Sequence, residues 1–318
     1  MLDHSAYHDA SGTVMGGPWQ LRHRPVAGVA PDIVADAALS ALRRVDAQMS
    51  TYRDDSDLMR LSRAPLNDFI SVPPEVMTVM ACADRLARLS DGAINIALGR
   101  LVNDWGFGPD ATPDTRPASE ASAAEAARAA LGAYALRADP PAVFKHEDIA
   151  FDLCALAKGF AVDQAARAVQ ALGVTDFLIE AAGEIVAHGD GPGGRGWTVG
   201  LELPVPAQER LIYDDLPVEG AVATTGGYRN RREIGGEIFS HTIDPRSGAP
   251  LITDVLSVTV LNESCMEADA LATVLYVLGP DEGPQFAAAH DVAALFLIRV
   301  PEGLKEIRSE AFAARTDS

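Results

Sequence analysis

Asp269 and Thr273 stand four residues apart in the stretch Met266-Glu267-Ala268-Asp269-Ala270-Leu271-Ala272-Thr273. On a helix that spacing stacks a carboxylate on a hydroxyl. Alanines flank both, so a partner can come close. Such an oxygen pair suits a hard cation such as Mg²⁺; a solvated Asp beside a Thr on an ordinary amphipathic helix is the commoner origin of such a pair. Asp152 ends a strand-like run and is followed by Leu153-Cys154-Ala155-Leu156-Ala157-Lys158-Gly159. An Asp beside small residues and a Lys can build a ligand pocket, or an Asp152–Lys158 ion pair can fix the turn. Glu180 and Glu184 flank a tight Ala-Ala-Gly step. His241 can take a proton or serve as a structural histidine. Tyr52 can stack on a flat ring or fill the core.

The elements that must hold these residues are readable. Ser264 is placed to cap a helix, Glu267 falls three residues on as in a capping box, and Gly279-Pro280 ends the helix. At about 100° per residue Leu271, Val274, Leu275 and Leu278 share one face, with Asp269 and Thr273 roughly opposite. Further helices are expected from Pro31 to about Met49, around Leu58 and Leu61, from Pro74 to about Asp91, over 119–131, from the Asp152 turn to about Leu172, and over 282–290. Residues 13–24 read as a Gly-containing turn feeding a strand. Strands are also expected at the start of 92–109, in 134–152, on both sides of Ala182-Gly183, over 197–203, 221–225, 237–248, 254–262 and 293–298. Asp110 to Pro117 reads as a surface loop, and Trp105-Gly106-Phe107-Gly108-Pro109 as a pocket wall or a core plug.

Composition narrows the function classes. The chain has 318 residues, 48% hydrophobic and 22% charged, the profile of a globular protein with ample chain for a core. Its net charge of −19 argues against nonspecific nucleic-acid binding. A polyanionic ligand would need a local source of positive charge, such as a metal. Cys82, Cys154 and Cys265 show no CxxC spacing and read as buried thiols. No apolar run is long enough to span a membrane. Met1 to Tyr7 lacks the basic and apolar regions of a signal peptide, so the sequence as it stands reads as cytoplasmic, or as periplasmic if an export signal has been removed. Residues 189–196 lack the GK[ST] of a P-loop, and neither a Rossmann G-x-G-x-x-G nor a G-x-S-x-G elbow occurs. From the residues alone the chain is an α+β protein with a candidate oxygen-ligand metal site.

Six stretches taken together resemble the ApbE family of FAD:protein FMN transferases. They are Met49-Ser50-Thr51-Tyr52 with Ser56-Asp57-Leu58, GAINIALGRLVNDWGFGP, FDLCALAKGFAVD, TGGYRN, FSHTIDPRSGAPL and SCMEADALAT, in family order between about residues 13 and 300. The resemblance implies an α+β fold of mixed, largely antiparallel sheets flanked by helices, with an ApbE-like, T-fold-related core. It implies a domain over 13–300, with 1–12 as an N-terminal extension and 301–318 as a tail. The implied reaction transfers FMN from FAD to a Thr or Ser hydroxyl of a target flavoprotein and releases AMP. The implied Mg²⁺ ligands are Asp269, Thr273 and the backbone carbonyl of Ala155. FAD contacts carry over to Met15, Tyr52, Ala93, Ile94, Asn95, Asp152, Lys158 and Ile243. His241 should lie near the pyrophosphate and act as proton acceptor or phosphate partner. Mn²⁺ meets the same oxygen ligands. Other readings are a FAD pyrophosphate hydrolase giving FMN and AMP, a flavin-binding maturation protein without turnover, and a metal-binding structural domain. This sequence departs from the family pattern at three places. Met15-Gly16-Gly17 stands for Met-Gly-Thr, Gly92-Ala93-Ile94-Asn95 for Gly-Ala-Phe-Asp, and Glu180-Ala181-Ala182-Gly183 for Asn-x-Gly-Gly.

Overall fold

The computed structural model describes residues 7–110, 119–204, 212–227, 231–234 and 237–316. The chain opens with the hairpin β1 (His8–Val14) and β2 (Gly17–His23). Next come α1 (Pro31–Met49), α2 (Asp57–Ser62), β3 (Phe69–Ser71), α3 (Pro74–Leu89), α4 (Gly99–Asp104) and α5 (Glu120–Ala130). β4 (Tyr134–Arg137) and β5 (Ala142–Lys145) lead to α6 (Cys154–Gln170). Then follow β6 (Phe177–Ala181), β7 (Glu184–His188), β8 (Trp197–Glu202), β9 (Ile212–Val218), β10 (Gly220–Gly226), β11 (Arg231–Ile234), β12 (Glu237–Ser240), β13 (Ile243–Asp244) and β14 (Ala249–Pro250). β15 (Val255–Asn262), α7 (Cys265–Ala289), β16 (Ala293–Val300), β17 (Gly303–Arg308) and α8 (Glu310–Thr316) complete it.

An eight-stranded sheet, β1-β2-β6-β7-β10-β15-β16-β17, is antiparallel at every step. This is the mixed α+β architecture with antiparallel sheets that the sequence implied. Period-2 alternation gives the sheet two faces. Trp19, Leu21, Ile179, Ala181, Val186, Ala223 and Val260 point into the larger core, built with α1, α6 and α7. Ala187, Val222, Leu261, Leu295 and Leu297 point the other way, under Trp197, Leu201, Leu216 and Val218 of the β8–β9 hairpin and Phe312 of α8. The stretches 8–12 and 303–316, outside the family-like span read from sequence, thus supply β1, β17 and α8.

Several local expectations are corrected. Residues 92–98 form no strand: the Ile94/Ile96 alternation belongs to a segment pinned beside 150–152, with Asp152 N donating to Ile96 O (2.8 Å) and Gly99 N to Ala150 O (2.9 Å). The run from 149 to Asp152 is likewise irregular. The expected 237–248 strand breaks at His241-Thr242 into β12 and the short β13. The Gly279 stop is a kink (φ 82°, ψ −167°), after which the chain resumes as helix. Cys154 is exposed, whereas Cys82 and Cys265 are buried as expected. The loop expected at 110–117 lies, from residue 111, outside the described residues. Among the described residues no helix is long and apolar enough to cross a membrane.

Candidate functional site

The site is built where α6 crosses the start of α7. Gly159 makes the crossing possible, since a Cβ there would run into the carbonyl oxygen of Cys265. Asp163, one turn further along α6 and almost buried, accepts from Ser264 Oγ (2.7 Å), Cys265 N (2.8 Å) and Met266 N (3.1 Å). Those amides are among the unpaired donors of a helix N-terminus, so one carboxylate satisfies them and fixes the register of the two helices. Ser264 caps as expected, its Oγ accepting from Glu267 N (3.4 Å). Glu267 turns away from a capping box to pair with Arg85 of α3 (2.7 Å).

With that register, Asp269 lies over the first turns of α6. Its Oδ2 accepts from Gly159 N (3.2 Å) and its Oδ1 lies 3.5 Å from Lys158 Nζ. Lys158 also pairs with Glu184, the first residue of β7. Of the two readings of Asp152, the ion pair with Lys158 does not form; Asp152 instead accepts from Cys154 N (2.8 Å) at the entry of α6. Asp269 is 3% exposed and Glu184 2%, so the solvated-face reading of Asp269 also fails. Leu271, Val274 and Leu275 are buried too, because α7 packs on both faces as far as Val277, whereas beyond the Gly279 kink Asp281 and Glu282 are exposed. Burial pushes the Asp269 carboxyl up from its ordinary value, against the pull of Lys158 and the Gly159 amide. Burial alone would lower the Lys158 ammonium, but Asp269 and Glu184 outweigh it and hold the group above its ordinary value. With both carboxylates ionised, the trio carries one negative charge in a buried place. Thr273, one turn beyond Asp269, exchanges a hydrogen bond with Thr225 of β10 (3.2 Å).

These groups form part of the lining of a cleft of about 2160 Å³. Met15, Tyr52, Ala93, Ile94, Asn95, Asp152, Ala155, Lys158, His241, Ile243, Asp269 and Thr273 all border it. Tyr52 is not a core residue: it is 69% exposed at the mouth, its hydroxyl donating to Phe107 O (3.3 Å). Asn95 spends its Oδ1 on Ala97 N (2.9 Å), while its buried Nδ2 has no partner in the protein. The aromatic loop does both jobs expected of it. Trp105 is buried and donates to Gly248 O (2.7 Å), tying down the segment after His241, while Gly106 and Phe107 face the cleft. Gly106 takes a left-handed backbone (φ 80°) that disfavours a side chain, and the Arg232 guanidinium lies against it.

The donor set fits a hard cation. A buried carboxylate, a hydroxyl and a carbonyl are oxygen ligands, and excess negative charge sits beside them. Among the described residues no cluster of three His, Cys, Asp or Glu side chains could hold a metal, so a cation here needs oxygens from its ligand or water. The sequence presents Glu184 beside a tight turn without a role for it; Asp163 and Thr225 lie inside the FDLCALAKGFAVD and TGGYRN stretches without a role of their own, and Arg232 lies outside every motif. One signal existed: in a strand Glu184 shares a face with Val186, so a core-facing charge required a partner.

Fold and site together define an α+β protein whose helical face presents a charged, oxygen-lined cleft suited to a phosphate-bearing ligand with a cation. The chain belongs to the ApbE family, whose model matches residues 15–296. It is similar to the FAD:protein FMN transferase of Vibrio cholerae, 36% identical over 304 residues, 95% of this chain and 90% of that one. The Haemophilus influenzae protein of the same name is 33% identical over 282 residues, covering 87% and 82%. The solved flavin transferase ApbE from Vibrio cholerae superposes with a TM-score of 0.86 at 32% identity, over 97% of this chain and 99% of that one. The apo flavinyl transferase ApbE of Pseudomonas stutzeri gives 0.86 at 31%, over 98% and 97%.

Proposed function

We propose that this chain transfers FMN from FAD to a Ser or Thr hydroxyl of an acceptor protein, with a divalent cation such as Mg²⁺ at Asp269, Thr273 and the Ala155 carbonyl. The observation that carries the reading is the Lys158–Asp269–Glu184 trio on the cleft wall, in a chain whose relatives bear the name FAD:protein FMN transferase.

The acceptor oxygen bonds to the phosphorus of the FMN half. The bond from that phosphorus to the bridging oxygen breaks, and AMP leaves with the electron pair. The hydroxyl proton passes to the His241 imidazole, which borders the same cleft. When bound, the cation neutralises pyrophosphate charge that would repel the incoming oxygen. Lys158 supplies the chain's own fixed positive charge, kept protonated by its two carboxylates. Asp163 and Gly159 hold α7 against α6, so Asp269 keeps its place beside Lys158. Asn95 stands on the cleft wall beside the flavin, and Tyr52 covers the ring at the mouth. Met15, Ala93, Ile94, Asp152 and Ile243 complete the FAD wall.

The test is an assay of the whole protein with FAD, Mg²⁺ and a hydroxyl-bearing acceptor, scoring covalent flavin and AMP together. Equal yields of both, lost in a chelator, are expected. AMP with free FMN and no labelled acceptor would replace transfer by hydrolysis. FAD held intact without AMP would leave a flavin-binding protein.

A further inference from the structure

We propose that the acceptor docks on the other face of the sheet, as an extended peptide segment that adds as a strand to the outer edge of β8, which no strand pairs among the described residues. This rests on the transferase reading. The first support is room. Small-molecule sites usually measure roughly 300–1,000 Å³, and the cleft, at about 2160 Å³, is much larger. The surplus lies away from the Lys158–Asp269 trio. The cleft passes round the end of the sheet at two neighbouring hairpin tips, Met15-Gly16 and Ala182-Gly183, and continues as a trough over the second face. Gln20, Arg22, Leu178, Glu180 and Val222 form its floor. They share one face because Gln20 pairs with Glu180 and Arg22 with Leu178 in register.

The second support is an open strand edge. Among the described residues β8 and β9 form a two-stranded sheet of their own. Every residue from Trp197 to Glu202 of β8 borders the trough, but β9 contributes only Asp215. The outer edge of β8 therefore runs along it. Pro217 of β9 stands opposite Thr198 and has no N–H to exchange, which marks a pair without ladder bonds. By alternation, Thr198 and Gly200 turn their N–H and C=O outward. Edge strands are normally guarded by proline, charge or cover. β9 carries Asp214, Asp215 and Pro217; β8 reads Trp-Thr-Val-Gly-Leu-Glu, with a charge only at its end. Main-chain pairing to such an edge gives affinity to an extended peptide.

The third support is continuity with the chemistry. The trough meets the site at a lip of Gly16, Gly17, Ala182 and Gly183, so a peptide backbone can pass close and bring its hydroxyl round to the pyrophosphate. Gly17, Glu180 and Ala182, where this sequence departs from the family pattern, all lie at that junction.

The test uses the full chain with FAD, Mg²⁺ and an array of synthetic peptides, each with one central Ser or Thr, read by covalent flavin. Thr198→Pro removes one outward N–H and leaves the β9 ladder in place. It should raise the peptide KM up to about tenfold, the loss of one backbone hydrogen bond, with kcat retained. Thr198→Val, which keeps the N–H, should restore the KM. An unchanged KM in Thr198→Pro overturns the proposal. So does wild-type protein that labels the acceptor protein of the Vibrio cholerae relative but no peptide. In both cases AMP release persists and the transferase reading stands; no AMP with either acceptor would fail that reading, and the trough with it.

Discussion

The two faces of the central sheet divide the labour of the molecule. One strand serves both: in β7, Glu184 points to the helical face and meets Lys158, while Ile185 points to the face under the β8–β9 hairpin. In β10, Thr225 reaches Thr273 of α7, while Thr224 reaches Thr259 on the other side. The helical face buries charge because two helices meet there with backbone in contact at Gly159 and can hold ionised groups in fixed pairs. The hairpin face has an apolar cover, a bare strand edge and a trough. Fixed charge requires rigid helix packing; a bare edge requires only a sheet and one turn.

Substitutions on opposite faces should therefore separate stability from chemistry. The largest effect is expected from Phe312→Ala on the hairpin face, 1% exposed. It should cost about 3–5 kcal/mol of stability, seen in denaturant melts, while FAD affinity of the folded fraction holds. Asp269→Asn should do the reverse. Transfer should fall by a factor on the order of 10²–10³, about 2.7–4 kcal/mol of barrier, with a thermal midpoint close to wild type because the amide oxygen can still accept from Gly159 N and Lys158 keeps Glu184. If both variants lose the same property, the division between faces is wrong. Asp163→Ala joins the two quantities, since it strips the partner from the Cys265 and Met266 amides. A loss of about 1–3 kcal/mol is expected, with divalent-cation affinity falling alongside; Asp163→Asn should recover part of each. The smallest effect tests the lip. A Cβ on Gly17 would lie 3.2 Å from the Ala182 Cβ, so Gly17→Thr should cost about 1 kcal/mol. Adding Ala182→Gly should return most of it, since the family pattern has a Thr and a Gly at these two places. Non-additivity in a double-mutant cycle is the readout.

The helical face was largely legible in the sequence, and the reason is local. The Ser264 cap, the Asp269/Thr273 spacing and the strand-turn-strand around Ala182-Gly183 each depend on residues close together in the chain. The residues implied by the family resemblance border one cleft because their motifs sit at element ends that face it. What misled was environment. Periodicity divided α7 into an apolar and a polar face, but packing encloses both, so Asp269 is buried. The partner of Lys158 was misread because Asp152 is near in sequence, whereas Glu184 and Asp269 are brought there by the sheet and α7. The hairpin face was legible in part: β8, β10, β15 and β16 match the expected strands, but β1 and β9 do not announce themselves. β1 reads His-Asp-Ala-Ser-Gly-Thr-Val and β9 Ile-Tyr-Asp-Asp-Leu-Pro-Val, and neither shows the regular alternation that announces a strand. Each pairs with its neighbour in the chain, β1 with β2 across Met15-Gly16 and β9 with β8, so composition rather than distance hid them.

The most direct measurement is FAD binding, followed by flavin fluorescence with and without Mg²⁺, in wild-type protein and in Asp269→Asn. If Asp269 holds the cation that bridges protein and pyrophosphate, Mg²⁺ will tighten FAD binding to the wild type and leave the variant unchanged. Equal tightening in both would contradict the assignment of Asp269 to the cation, and the helical face would lose its chemical role.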